Sequence, residues 1–481
     1  MSAPIDGPPA RPAPPGSTEQ GAHPLDRLPR SLSLWDATML IVASVVGSGI
    51  FFTPAQVVSL LPSAGPYLLV WIVGALISLV GAFVNAELGA MFPRAGGDYV
   101  YLREGLHPAA GFLAGWLSFF AIYAGTIAAL AVVVAELVAP ALGLGRAGIL
   151  AFASALVLAM SLVHLLSTRL GAGFNNLASL LKLAAIAAFV IAGPLFGDGS
   201  FAPWRAGALP PMPGGDAAGP VGGGGLALRF GQALSPVLFS YLGWNASVFV
   251  ASEIRDPQRN VPRSLFLGLG LCTLLYLAIN AIYLYALTPA EMAAARDTGQ
   301  AAARALFGET GGRWVAGFVM LSVLGTLSAQ ILIGPRIVYA MALDEQFLAR
   351  ASRVHAKFLT PAVAIALQAG IAIGLILVLE SFPKALDFTV FCILLATAAD
   401  TLALFRLRRR RPELARPYRA FGHPWLSLGY LGVIGATAVA IARASPRECA
   451  VAIAMLLAGL LLYWPVRAGR AGRDAGSGTG D

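Results

Sequence analysis

Two short strings of residues interrupt otherwise apolar runs, and their spacing offers main-chain chemistry for a small charged molecule. The first is Val45-Val46-Gly47-Ser48-Gly49-Ile50-Phe51; the second, about 195 positions later, is Phe239-Ser240-Tyr241-Leu242-Gly243-Trp244-Asn245. Glycine inside a helix costs about 0.5–1 kcal/mol relative to alanine, so Gly47, Gly49 and Gly243 mark places where a helix gives way. Beyond the first break a half-helix starts near Ile50, and the free amides of Ser48, Gly49 and Ile50 suit a carboxylate. The carbonyls of Val45 and Val46 end the preceding half-helix, and those near Phe239 and Ser240 end its counterpart; both ends suit an ammonium. A zwitterion is thereby held without any charged side chain. The plain alternative for Gly47 and Gly49 is a small-residue packing seam, and the presence of a second break argues against it.

Charged residues within apolar runs are few. Lys182 is the one lysine in the interior of a predicted span, twelfth of about 24 residues. A cation at that depth costs from about 2.5 to over 10 kcal/mol and usually serves function. Its side chain does not readily reach water across about 15 Å of half-bilayer. It is either a structural brace, a proton switch or an incidental buried lysine. Glu87 and Glu253 lie near span ends, where capping or pairing with Arg255 or Arg263 is expected. Asp400 is expected to meet the arginines that follow it, Arg336 to form an ion pair, Glu136 to be interfacial and His164 to be packed without a partner.

The elements that must position these residues are membrane spans. Hydrophobic residues make up 57% of the 481 and charged residues 12%, with mean hydropathy +0.75; soluble chains are about a quarter charged. Twelve spans are read near 33–60, 66–91, 109–138, 147–166, 171–194, 230–253, 264–287, 313–342, 361–380, 384–405, 424–442 and 448–466. Irregular backbone at membrane depth is tolerated only where protein or a polar cavity covers it, and broken spans at the midplane are how many transporters build a binding site. Net charge +9 does not point to nucleic acid, because the basic residues sit between spans. With the N-terminus cytoplasmic, 22 of them fall on inner segments and 9 on outer ones, which places both termini inside. The cluster Arg406, Arg408, Arg409, Arg410 and Arg411 anchors the end of span 10.

Other classes find little support. Cys272, Cys392 and Cys449 have no disulfide or metal-site spacing. No nucleophile–base set is visible within the spans, so neither an enzyme nor a cofactor or metal is expected. Residues 1–30, rich in Pro, Gly and Ala, read as a disordered cytoplasmic tail without the h-region of a signal peptide. Residues 196–229 read as an extracytoplasmic loop and 467–481 as a second disordered cytoplasmic tail.

The motifs now carry a resemblance. Gly47-Ser48-Gly49-Ile50-Phe51 followed by Pro54, the stretches 81–89 (GAFVNAELG) and 92–101 (FPRAGGDYVY), and Phe239–Asn245 followed by 253–263 (EIRDPQRNVPR) are similar to the amino acid–polyamine–organocation permeases. So are 334–344 (GPRIVYAMALD) and 411–419 (RPELARPYR); the nearest likeness is to the L-type amino acid transporter branch. The resemblance runs from about 31 to 466 and implies an all-α membrane fold of about 12 helices. Two inverted five-helix repeats, 31–195 and 230–405, would each open on a broken helix, here helices 1 and 6. A basic loop and helices 11 and 12 follow over 406–466. No overt repeat between the halves is visible in the sequence.

The resemblance also implies roles. The substrate would lie against Val45, Val46, Ser48, Gly49, Ile50, Phe239, Ser240, Leu242 and Asn245, with Phe239 as gate. Relatives often carry glycine at the Leu242 position, so leucine narrows the pocket. Asn245 either hydrogen-bonds substrate or ties down the broken backbone. Lys182 would stand where sodium-coupled members of this fold hold their ion, bracing spans 1, 5 and 8. The expected activity is sodium-independent, alternating-access transport of neutral α-amino acids in a bacterial inner membrane, either coupled to protons or by exchange. The alternatives are a cationic amino acid or polyamine antiporter, marked by a carboxylate in the pocket, and an amino acid receptor that does not translocate.

Overall fold

The computed structural model describes residues 26–205, 223–378 and 382–477. Helix α1 (Leu34–Val45) starts at Ser33, whose hydroxyl accepts the Asp36 amide while Asp36 reaches back to close a capping box, a device that satisfies two orphan amides at once. Helix α2 (Gly49–Leu60) continues after a three-residue gap at an angle of 47°. Then come α3 (Ala64–Met91), the short α4 (Asp98–Gly105) and α5 (Pro108–Leu117). A π-helical turn, Ser118–Tyr123, joins α5 to α6 (Ala124–Leu142) within one long span. Helices α7 (Arg146–Leu166) and α8 (Thr168–Phe196) complete the first half, and α9 (Ala202–Arg205) is a single turn.

The second half opens with α10 (Gly223–Tyr241), which leaves helical geometry before α11 (Ala246–Phe249). It continues through α12 (Pro257–Ala286), α13 (Pro289–Ala294) and α14 (Thr298–Leu343), the last interrupted at Gly308 with φ of 70°. Helices α15 (Ala362–Val378), α16 (Phe382–Arg410), α17 (Trp425–Ala444) and α18 (Pro446–Ser477) close the chain. Among the described residues nine helices are long and apolar enough to cross a membrane, or ten with the bent pair α1–α2 counted as one span. The other two expected spans correspond to α10, of mixed polarity, and to α15, apolar but short.

The expected tails need correction where they are described. Residues 26–30 are packed: Leu28 is buried, the Tyr339 hydroxyl donates to Asp26 (2.8 Å) and the Arg27 amide donates to Tyr339 (3.0 Å). Helix α18 runs on to Ser477, past the expected end of order at 466, through a stretch in which Ala and Arg favour the helix and Gly, as frequent as either, opposes it. Residues 1–25, 206–222 and 478–481 of the expected tails and loop lie outside the described residues.

The core is the seam where α1, α8, α12 and α14 meet, with exposed leucines such as Leu158, Leu180 and Leu274 on the outer faces. That inversion of the soluble pattern is what a bilayer demands. At the end carrying the N-terminus the bundle is tied shut by polar links. Leu32 pairs with Glu253 and Arg255 through main-chain bonds of 2.9 Å, and the Gly96 amide donates to the Phe249 carbonyl (3.1 Å).

Candidate functional site

The two breaks touch each other. In the first, the Gly47 amide folds back on the Val45 carbonyl (2.8 Å) and the α2 ladder begins with Phe51 donating to Ser48 (3.1 Å). The amides of Ser48, Gly49 and Ile50 have no main-chain acceptor among the described residues, as expected of a helix start. In the second, Leu242 donates to Phe239 (3.0 Å) and Gly243 adopts φ of +97°, a region that side chains other than glycine's rarely enter. A Cβ on Gly49 would stand 2.9 Å from Ser240 Cα, and one on Gly243 would stand 2.8 Å from Ser44 Cβ. Gly243→Ala therefore combines backbone strain of about 1–3 kcal/mol with a clash. The expected result is a lower melting temperature of the detergent-purified protein and at least about tenfold weaker ligand affinity; unchanged values of both would remove the glycine requirement.

The carbonyls are allotted differently from expectation. The Val46 carbonyl accepts from Lys182 Nζ (2.6 Å) and Ser322 Oγ (2.9 Å), and Val46 faces the protein interior instead of the cavity. The Tyr276 hydroxyl of α12 reaches both the Val45 carbonyl (2.7 Å) and the Ser240 carbonyl (2.8 Å), clamping the two half-helix ends together. Ile50 is fully buried and does not line the cavity either. Among the acceptors left at the breaks are the Ser44 carbonyl, which accepts nothing among the described residues, and the second lone pair of the Phe239 carbonyl. The error was one of register: a carbonyl that ends a helix is free only if no neighbouring side chain claims it.

Both breaks line one cavity of about 120 Å³. Ser44, Val45, Ser48 and Gly49 come from the first, and Phe239, Ser240, Leu242, Gly243 and Asn245 from the second. The Asn245 side-chain amide makes no hydrogen bond among the described residues and is half-buried at the cavity wall. The opposite wall is the π-helical turn, which contributes Ser118, Ile122 and Tyr123, with Gln330 from α14 and Thr397 from α16. Apolar side chains in a run such as 118–123 carry no sign of a π-turn, so sequence reasoning missed this wall; such turns are frequent at functional sites. A larger cavity of about 980 Å³ lies towards the end opposite the N-terminus, lined by Gln56, Glu136, Arg296 and Gln300. Phe239 borders both cavities, as do Ser48 and Gly49.

A carboxylate also reaches the smaller cavity. Asp98, at the start of α4, lines it, although the sequence shows no acidic residue at either break. Asp400 is likewise corrected: it accepts from Asn85 Nδ2 (3.2 Å) and lies beside the carboxyl of Asp98, with no ion pair to arginine among the described residues. The arginines after it face elsewhere, Arg408 and Arg416 to Glu87 at 2.5 and 3.4 Å. Glu253 pairs with Arg336 of α14 (2.7 Å), both fully buried, instead of Arg255 or Arg263. His164 does have a partner, Ser328 Oγ at 2.8 Å.

Lys182 Nζ completes the inner structure of the first break. It donates to the carbonyls of Ala43 (3.1 Å) and Val46 (2.6 Å) and to Thr326 Oγ1 (3.2 Å), joining α8 to α1 and α14. Gly325 makes room for it, since a Cβ there would stand 3.0 Å from Lys182 Cε. Among the described residues no cluster of three or more His, Cys, Asp or Glu could hold a metal ion.

Known proteins with this pattern are carriers. The chain is 28% identical to the serine/threonine exchanger SteT of Bacillus subtilis over 448 residues, 92% of this chain and 97% of the relative. It is 28% identical to the human b(0,+)-type amino acid transporter 1 over 404 residues, 82% and 79% of the two chains. To the human large neutral amino acids transporter small subunit 2 it is 28% identical over 443 residues, 91% and 80%. Residues 32–462 match the amino acid permease family over nearly the whole described length. The chain is a multi-pass membrane protein of the amino acid permease family.

Proposed function

We propose that this permease carries neutral α-amino acids by sodium-independent alternating access, with the α-groups held between the two breaks. The observation that carries this reading is the contact of the two breaks around one cavity, with the unpaired amides of Ser48 and Gly49 on one side and the Ser44 and Phe239 carbonyls on the other. The amides of Ser48 and Gly49 are the seat for the carboxylate. The ammonium lies towards Ser44 and Phe239, and Asn245 offers a further polar contact. Leu242 limits the side chain to small or medium size. Phe239, between the cavity and the larger vestibule, is the gate on the vestibule side.

Lys182 places its own Nζ on the Ala43 and Val46 carbonyls at the first break, which supports sodium independence. Two cations about 4 Å apart repel by about 4 kcal/mol even at an effective dielectric of about 20. The arginine distribution supports a bacterial inner membrane location with both termini cytoplasmic, so the closed end of the bundle faces the cytoplasm and the vestibule faces out. The names of the relatives, a serine/threonine exchanger and a large neutral amino acids transporter subunit, fit this substrate class.

A cationic substrate is the second reading, favoured by Asp98 at the cavity wall. Counterflow competition in proteoliposomes separates the two. Alanine, serine, threonine and leucine should compete, whereas putrescine and agmatine, which lack the carboxylate, should not. Strong inhibition by the two amines would replace the neutral reading with the cationic one, and binding without any counterflow would favour a receptor.

A further inference from the structure

We infer that Asp98 and Asp400 form a shared proton site at the cytoplasmic wall of the substrate cavity, and that its occupancy is linked to closure of α4 against α16. This rests on the reading of the chain as an amino acid carrier and adds the energy coupling to it. The two side chains are buried, 4% and 0% exposed. They lie side chain to side chain, and two buried carboxylates with no ion-pair partner repel each other strongly unless one of them carries a proton. Oδ1 of each has no hydrogen-bond partner among the described residues, so the pair has spare capacity for a second proton.

No counter-charge competes for the pair. Neither carboxyl takes part in an ion pair among the described residues. From α3 the pair is met by the neutral Asn85 amide. The titratable groups around it are the uncharged phenols of Tyr101 in α4, Tyr123 in the π-turn and Tyr430 in α17. Glu87, two residues beyond Asn85, is turned away to Arg408 and Arg416. Arg103, one turn along α4 from Asp98, is engaged by Glu104 and Asp344. A pair so isolated changes charge by taking or losing a proton, not by exchanging salt-bridge partners.

Its position joins substrate to gate. Asp98 lines the cavity while Asp400 lies behind it, away from the substrate space. Helix α4 is pressed tightly on α16: a Cβ on Gly105 would stand 2.6 Å from Ala403 Cβ. Just before Asp98, the Gly96 amide is bonded to the Phe249 carbonyl at the end of the second break. With the proton in place α4 is held against α16 and the cytoplasmic end stays closed. Loss of the proton to the cytoplasm leaves two carboxylates in contact, which repel and free α4 together with the segment tied to Phe249. One proton taken up from the vestibule side is released inside for each substrate carried.

The test uses the full-length protein in proteoliposomes with labelled L-alanine, L-serine, L-threonine and L-leucine. Counterflow is measured at equal pH, and accumulation under an inward gradient of about one pH unit, which for one proton per substrate can concentrate up to about tenfold. Wild type should show both. Asp400→Asn should keep counterflow within about threefold of wild type and lose the accumulation, and Asp400→Glu should restore part of it. Accumulation that survives in Asp400→Asn overturns the proposal, as does wild-type accumulation indifferent to the gradient. Absence of counterflow in wild type for every probe sinks the carrier reading itself, a distinguishable failure that takes this proposal with it. Should Asp400→Asn fail to insert, the pH dependence of alanine binding to Asp400→Glu, read by tryptophan fluorescence, must be displaced from wild type; an identical profile overturns the proposal. Labelled L-arginine is the last arm: if Asp98→Asn abolishes its counterflow and leaves proton-driven alanine uptake intact, Asp98 is a substrate anchor instead.

Discussion

Gly49→Leu abolishes amino acid binding while the protein still inserts. The added Cβ alone meets Ser240 Cα at 2.9 Å, so the second break must retreat or the amide of residue 49 must turn. Either movement misplaces the donors meant for a carboxylate. Overpacking of this kind costs about 1–3 kcal/mol in a folded interior, and the loss of a charge-assisted contact adds to it. Affinity should fall by at least about 100-fold, equivalent to about 2.7 kcal/mol. Scintillation-proximity binding on purified protein, with circular dichroism to check helix content, reads the effect. Gly49→Ala should be intermediate, because its Cβ makes the same contact without the branch. An unchanged affinity for the leucine variant would move the substrate away from the breaks altogether.

Lys182→Ala should lower transport by about tenfold or more while lowering the amount of inserted protein by less than about threefold. Three contacts disappear at once, those to Ala43, Val46 and Thr326, and a buried large-to-small change costs about 2–5 kcal/mol in its own right. Thr326 and Ser322 still donate to the same carbonyls, so the first break keeps its shape and loses its link to α8. Exchange and proton-driven uptake should fall together, as for a brace. A variant that keeps exchange and loses only the pH response would shift the proton from the aspartate pair to Lys182. Wild-type uptake should be the same in sodium and in potassium at fixed ionic strength and pH; marked stimulation by sodium would contradict the whole account of this lysine.

Sequence reasoning reached the breaks and Lys182 because each violates a local rule. Glycine and serine in an apolar helix, and an ammonium at mid-bilayer, are costly wherever their neighbours lie. What it could not reach was set by partners distant along the chain. Asp98 and Asp400 lie about 300 positions apart, and arginines nearby in sequence were a natural but wrong guess for Asp400. Helical periodicity tells which face a residue occupies, not what stands opposite. Nothing in the run around Tyr276 signals that its hydroxyl bridges two half-helices. For the same reason Val46 was assigned to the substrate when its carbonyl belongs to Lys182.

The reciprocal contact of the breaks has a mechanical consequence. Gly49 is the socket for Ser240, and Gly243 is the socket for Ser44, so each hinge contains a part of the other. They are geared, and neither turns alone. An open path on both sides at once would require the two sockets to come apart together, stripping the gear. A protein whose two doors share one hinge pin is built to leak very little, which separates a carrier from a pore.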